Sequence, residues 1–264
     1  MAGAFLHTNL VLSAASVTCA TALATAGVGN LLDPQPRVRM RATGGGAAVL
    51  IDLGASRLVD CVAFVSTTAT AGAVVRVRLS SADATGMAGD AWDTLGEAAD
   101  TGAEAGGNVI VVRAAGTASG RYVLAELADG ALAQVDIGCI AVGALWRLTR
   151  AQSYGYSEGR VIADTRDVNP LTRAEFPVPA LLNPRFTAFQ VALMPRADAD
   201  AGREMRRRLG GVGDALWIPD LSLSRAEMNN RSIWGGVYAP GADAGHVRPV
   251  FPGWTAAWRL VERG

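Results

Sequence analysis

The chain has 264 residues, half of them apolar, which is enough for one large domain or two ordinary ones. Its 24 basic residues balance 24 acidic residues, so no overall charge draws it to nucleic acid or to an anionic membrane. All basic residues are arginine, which excludes a phosphate-loop lysine and a Schiff-base lysine.

The first half of the chain is predicted to be strand-rich. Residues 9–20 are expected to form a strand; no arginine or lysine precedes this apolar stretch, and serines and threonines interrupt it, unlike a signal peptide. Residues 73–79 alternate between valine or leucine and arginine, as in a half-buried strand. Residues 108–113 predict another strand. The stretch between them, 80–107, is rich in Ala, Gly and Asp and is expected to be a long loop.

A change in composition marks the predicted boundary between two domains. Residues 150–159 are polar and turn-rich, so we expect domains at 1–148 and 149–264. A helix is predicted near 198–209, because aspartates lie in its first turn, arginines in its last, and Gly210 follows it. The strands expected in the second domain are 161–165, 174–179, 185–194, 215–219, 232–238 and 254–261.

Catalytic and metal-binding patterns are absent from the sequence. The two histidines, His7 and His246, lie at opposite ends of the chain, and no Gly-x-Ser-x-Gly or His-Glu-x-x-His motif occurs. The three cysteines are far apart in apolar runs, which predicts buried free thiols. We therefore expect no catalytic residues, no metal and no cofactor, and thus no enzyme.

One cluster of residues is a candidate sugar-binding site. Asp90, Trp92 and Asp93 lie together in the long loop, and Arg76 and Arg78 share one face of the strand before it. Sugars offer hydroxyl groups to carboxylates and guanidinium groups, and an apolar face to an aromatic ring. The alternative is a solvated loop with one anchoring tryptophan.

A second set of residues is a candidate protein interface. Tryptophan, tyrosine and arginine are the residues most enriched at interface hot spots. Most of the tryptophans lie in the predicted second domain, and most of these are expected to be core. The candidate interface residues are Arg206, Arg207, Trp217, Trp234 and Tyr238.

Three segments of the first half resemble the galactose-binding-like (discoidin-type) jelly roll. They are VLIDLGASRLVDCVAFVS at 49–66, GRYVLAEL at 120–127 and VDIGCIAVG at 135–143. The resemblance implies two facing sheets in the first domain. With the second domain, it implies a mainly β protein: an N-terminal jelly-roll β-sandwich, then a β-rich domain with one short helix.

Segments of the second half resemble proteins of long-tailed bacteriophage tail tips. They are DTRD at 164–167, the strand at 186–194, DALWIPD at 214–220 and RSIWGG at 231–236. The resemblance implies a virion structural protein of the tail tip or baseplate, made in the bacterial cytoplasm. Its partners would be further copies in a ring and neighbouring tail proteins, with no nucleic acid and no membrane insertion.

Three functions are therefore weighed from the sequence. The first is assembly in a phage tail, with the jelly roll facing outward. The second is a carbohydrate-binding module that recognises host surface glycans, and the two are compatible. A carbohydrate-active enzyme is the remote third, because no acidic pair can be assigned from a loop rich in glycine and alanine.

Overall fold

The structure is a computed structural model that describes residues 3–99, 107–153, 155–161, 165–168, 173, 175–178, 184–210, 213–238, 245–248 and 251–263. It is mainly β, and the chain divides into two compact units. The first unit comprises Met1–Ala151 and Asp214–Trp234, and the second comprises Gln152–Gly213 and Gly235–Gly264.

The first 151 residues form thirteen described strands. These are β1 Ala4–Leu6, β2 Ser16–Cys19, β3 Met40–Thr43, β4 Gly46–Val59, β5 Cys61–Val65, β6 Val74–Ser80, β7 Trp92–Asp93, β8 Glu97–Ala98, β9 Val109–Val112, β10 Ala118–Ala128, β11 Gln134–Ile137, β12 Cys139–Gly143 and β13 Trp146–Arg147. The rest of the chain forms β14 Ser157–Arg160, β15 Thr165–Val168, β16 Glu175–Val178, β17 Arg185–Met194, α1 Arg196–Leu209, β18 Asp214–Ile218, α2 Arg225–Arg231, β19 Ile233–Tyr238, β20 Gly245–Arg248 and β21 Phe251–Glu262.

The first unit is a jelly-roll β-sandwich, as the sequence predicted. One sheet has the strand order β2-β4-β10-β6-β7, and the facing sheet has the order β12-β5-β9. Alternate residues of β6, namely Val75, Val77 and Leu79, are fully buried in the core between the sheets. Each such side chain stabilises the fold by about 1.5–3 kcal/mol relative to an exposed one.

The smaller sheet of the sandwich is buried on both faces. Val62 and Phe64 of β5 point into the sandwich, whereas Cys61, Ala63 and Val65 belong to a second apolar core on the other side. This second core is covered by residues of β1, β18, α2 and β19: Leu6, Leu216, Ile218, Met228 and Trp234. A sheet that is apolar on both faces needs cover on both faces.

This second core explains why the units differ from the predicted domains. All residues after 148 were predicted to lie in the second domain, but residues 214–234 belong to the first unit. Strand β18 pairs antiparallel with β1, with Phe5 opposite Trp217. Linear composition does not reveal that the chain returns to its first unit.

The second unit contains β14, β17 and β21 as antiparallel neighbours, and Gly235–Tyr238 of β19 also pairs with β21. The predicted helix near 198–209 is α1, and its C-terminal Gly210 has the positive φ of +58° that favours glycine. Parts of the predicted strands at 161–165 and 174–179 lie outside the described residues.

Three local predictions differ from the structure. Residues 9–20 are not one strand: Leu10–Ser13 is a 3₁₀ helix, because the Asn9 side chain accepts a hydrogen bond from the Val11 amide and caps it. The long loop at 80–107 contains β7 and β8, which extend the sheet beside β6. The second helix, α2, was not predicted.

Candidate functional site

The arginines of the predicted sugar site are occupied by carboxylates of the same chain. Arg76 donates to both oxygens of Asp93, at 3.0 and 2.8 Å. Arg78 donates to Glu126 at 2.6 Å and to the Met87 carbonyl at 3.3 Å. The hydrogen bonds from Arg76 lower the pKa of Asp93 below its usual range. Both cations are therefore already paired.

The loop residues of that predicted site also have partners within the first unit. Asp90 accepts hydrogen bonds from the Ser81 amide and hydroxyl, and these lower the pKa of Asp90. Trp92 is half-buried and packs against the sandwich core. The structure thus pairs Arg76 with Asp93, whereas the neighbouring Trp92 packs against the core, and these contacts stabilise the loop. Sugar binding by these residues stays a prediction.

Two of the five predicted interface residues are buried in the first unit. Trp217 is fully buried, with its ring centroid 4.6 Å from that of Phe5. Trp234 is 2% exposed, and its indole nitrogen donates to the Pro34 carbonyl at 3.1 Å. Trp234 belongs to the second core, whereas Trp217 packs against Phe5. Because both side chains are buried, neither is available to a docking partner.

The other three predicted interface residues lie in the second unit. Arg206 donates to the Ala257 carbonyl at 3.2 Å, and Arg207 forms an ion pair with Glu204 at 2.8 Å. Tyr238 is half exposed. An interface role for Arg206, Arg207 and Tyr238 stays a prediction.

A pocket of about 330 Å³ lies elsewhere on the first unit, and we call it the Trp146 pocket. It forms where the chain after β1, the end of β4 and the connection from β12 to β13 meet. Its lining residues are His7, Thr8, Leu10, Arg57, Leu58, Ala144, Leu145 and Trp146.

The aromatic wall of the Trp146 pocket is held in place by stacking. The Trp146 ring stacks on Phe5 with centroids 5.5 Å apart and planes 19° apart. His7 meets Trp146 edge-on, at 6.4 Å and 77°. Phe5 is fully buried and occupies one face of the indole. Trp146 is half-buried, and it lines the pocket.

The backbone around the pocket is fixed by two polar side chains. Asn9 donates to the Ile140 carbonyl at 3.0 Å and accepts from the Val142 amide at 3.1 Å, which ties the chain after β1 to β12. Asp60 accepts from the Leu145 amide at 2.8 Å and from Arg147 at 2.9 Å. These bonds give the pocket a preformed wall.

A glycine lets these elements approach closely. A Cβ atom on Gly143 would lie 2.6 Å from the Thr8 carbonyl oxygen and 2.9 Å from Leu6 Cδ1. Any larger residue would therefore push the Thr8 segment away from β12.

The polar groups of the pocket are suited to binding a ligand by hydrogen bonds. His7 Nδ1 lies 3.3 Å from the Thr8 hydroxyl, and Arg57 also lines the pocket. Imidazole, hydroxyl and guanidinium groups together offer donors and acceptors. Leu58, which is 57% exposed, adds apolar surface beside them.

Sequence reasoning missed this pocket. The sequence patterns gave no role to His7, Arg57 or Trp146. The three residues lie far apart in the chain, at positions 7, 57 and 146. Only the pairing of β1 with β13, where Phe5 lies opposite Trp146, brings the first and last of them together.

Two other kinds of site have no support in the described part of the chain. No group of three or more His, Cys, Asp or Glu side chains there is arranged to hold a metal ion. No helix described by the structure has the length and apolar character needed to cross a bilayer.

Comparison with known proteins gives weak structural matches. No protein-family model matches the chain, and no curated protein matches it. Chitosan-binding module 1 of a chitosanase/glucanase from Paenibacillus sp. IK-5 is 18% identical over 52% of this chain and 98% of its own, with a TM-score of 0.39.

Two further solved structures match the same share of the chain or slightly less. A fucose-binding module of Streptococcus pneumoniae is 8% identical over 51% of this chain and 96% of its own, at a TM-score of 0.37. A GH29 fucosidase of Ruminococcus gnavus is 17% identical over 52% of this chain but only 26% of its own, also at 0.37. At such values the matches carry no inference about function, and they give no support to the phage-tail resemblance.

Proposed function

We propose that the first unit binds a saccharide in the Trp146 pocket, and that the protein recognises glycans without catalysing a reaction. The observation that carries this proposal is the indole of Trp146, which Phe5 holds in a fixed orientation within a pocket that also offers His7, Thr8 and Arg57. A sugar ring has apolar C–H faces that pack on aromatic rings and hydroxyl groups that need hydrogen-bond partners.

The size and preformed wall of the pocket support a small ligand. Pockets for small molecules measure about 300–1,000 Å³, and the Trp146 pocket lies at the small end of that range. We therefore expect it to hold a single sugar residue, such as the end of a glycan chain. Because Asn9 and Asp60 already fix its walls, binding would require little ordering of the backbone.

The test is a glycan array probed with the full chain, followed by calorimetric titration of the best ligand. Trp146→Ala should weaken that ligand at least tenfold, which corresponds to about 1.4 kcal/mol. The matched control is Asp90→Asn with Asp93→Asn, which alters the site predicted from sequence while keeping its shape. We expect this control to bind as the parent does.

Two results would contradict the proposal. If the chain binds no glycan on the array, the proposed function is wrong. Loss of binding in the Asp90/Asp93 variant, with Trp146→Ala unaffected, would move the site to the loop between β6 and β8.

Assembly in a phage tail is a second candidate function. The observation that favours it is exposed apolar surface on the second unit, where Tyr238 is 50% exposed and Leu193 is 47% exposed at a bulge in β17. Such side chains are suited to contact between copies. Light scattering of the purified chain tests it: a ring of defined mass would support assembly, and a monomer at high concentration would count against self-assembly.

A further inference from the structure

We propose that the sugar bound in the Trp146 pocket is acidic, and that Arg57 binds its carboxylate. This inference rests on the proposed saccharide site and names the class of sugar that the site selects. A uronic acid carries its carboxylate directly on ring carbon C5. One sugar unit therefore supplies both a ring for Trp146 and an anion for Arg57.

The charge of the pocket favours an anion. Of the eight lining residues, Arg57 carries a permanent positive charge, His7 is a further basic group, and none is a carboxylate. A neutral sugar would leave the Arg57 charge without a counterion in the complex. An acidic sugar would provide one.

The side chain of Arg57 is not used to hold the fold together. It is exposed and makes no hydrogen bond or ion pair with any residue that the structure describes. By contrast, Arg76, Arg121 and Arg147 each hold an aspartate at 2.7–3.0 Å. Each of these three guanidinium groups is paired with a carboxylate, and the structure describes no such partner for Arg57.

The two aspartates on either side of Arg57 in the chain are engaged elsewhere. Asp52 accepts two hydrogen bonds from Arg121, at 2.7 and 2.9 Å. Asp60 is 1% exposed and is neutralised by Arg147 at 2.9 Å. Neither is available to compensate the charge of Arg57 when a ligand binds.

The geometry of a guanidinium group suits this role. Its planar fork of donors matches the two oxygens of a carboxylate and forms paired, charge-assisted hydrogen bonds. Lysine offers a point charge without that fork. Substitution by lysine therefore separates the effect of charge from the effect of shape.

The experiment titrates the full chain with pairs of methyl glycosides that differ only in oxidation at C6: glucoside and glucuronide, galactoside and galacturonide, mannoside and mannuronide. For at least one pair, the uronide should bind about tenfold more tightly or better, and the preference should fall as salt is raised. Arg57→Ala should reduce this preference to about twofold while still binding the neutral sugar. Arg57→Lys should keep part of it.

Each outcome separates the two proposals. Equal affinity for both members of every pair, or a preference that Arg57→Ala leaves intact, would overturn the acidic-sugar inference and leave saccharide binding standing. Failure of all six glycosides and of the glycan array would overturn both. Weakening of neutral and acidic sugars to the same extent by Arg57→Ala would make Arg57 a general contact and refute its role in selecting acid.

Discussion

Asn229 is the most informative residue for testing whether residues 214–234 belong to the first unit. It is 1% exposed, and its side-chain carbonyl oxygen accepts a hydrogen bond from the Ile110 amide of β9 at 2.8 Å. Its side-chain amide nitrogen donates to the Ala99 carbonyl at 3.0 Å. Asn229→Ala would leave two buried backbone groups without these partners, at about 1–3 kcal/mol each. We expect the free energy of unfolding to fall by about 2–6 kcal/mol.

The assay is urea unfolding of the full chain, followed by far-UV circular dichroism. The control is Thr117→Ala, at an exposed position of the same unit whose side chain makes no hydrogen bond with any residue that the structure describes; it should change stability by less than about 0.5 kcal/mol. If Asn229→Ala were as stable as this control, α2 would not be anchored to β9 as described. The assignment of residues 214–234 to the first unit would then be wrong.

Three further predictions follow from burial, electrostatics and close packing. Cys61 and Cys139 are buried, and burial raises the pKa of both thiols, that of Cys139 to about 12. A maleimide should therefore label only Cys19 in the native chain and all three cysteines after unfolding. Rapid labelling of two or more cysteines in the native chain would contradict the fold. Hydrogen bonds from arginine lower the folded-state pKa of three aspartates. The stability that these aspartates give to the folded chain should therefore be complete above about pH 4 and decline as the pH falls further. Urea midpoints that stay constant from pH 5 to pH 2 would refute this prediction. The three aspartates are Asp52, Asp93 and Asp136. Gly143→Ala should displace the Thr8 segment and weaken sugar binding. The control, Gly130→Ala, should not, because its Cβ would meet no atom within 4 Å. Equal sugar affinity of the two variants in calorimetric titration would contradict this prediction.

Local patterns predicted the regular elements of the fold well. Alternation alone identified Val75, Val77 and Leu79 as the buried face of β6, because side chains of a strand alternate between its faces. Charges at both ends and Gly210 at the C-terminus identified α1. These signals lie within a few residues of one another, so the sequence shows them directly.

One missed element had a local signal. Helix α2 begins with a capping box in which Ser224 and Glu227 bond each other's backbone amides. The letters S-x-x-E at 224–227 carry that motif in the sequence. The helix is only seven residues long, so periodicity adds little to the capping signal.

The long-range features could not be read from the sequence. Composition cannot show whether Trp217 and Trp234 lie in an interface or in a core. They are buried because β18 pairs with β1 and because Pro34 lies beside Trp234. The Trp146 pocket likewise depends on the meeting of three distant segments. Arg76 and Asp93 were predicted to bind a sugar, but Arg76 on β6 donates a hydrogen bond to Asp93 on β7 instead.

The most direct test of the central claim is where a bound sugar touches the protein. The chain has six tryptophans, so a ¹⁵N-labelled sample should give six indole signals by nuclear magnetic resonance, and Trp146→Phe and Trp92→Phe assign the two that matter. We expect saturating sugar to shift the Trp146 signal and to leave the Trp92 signal in place. A shift of Trp92 alone would place the sugar at the loop with Asp90 and Asp93, and binding that moves neither signal would contradict the Trp146 pocket as the saccharide site.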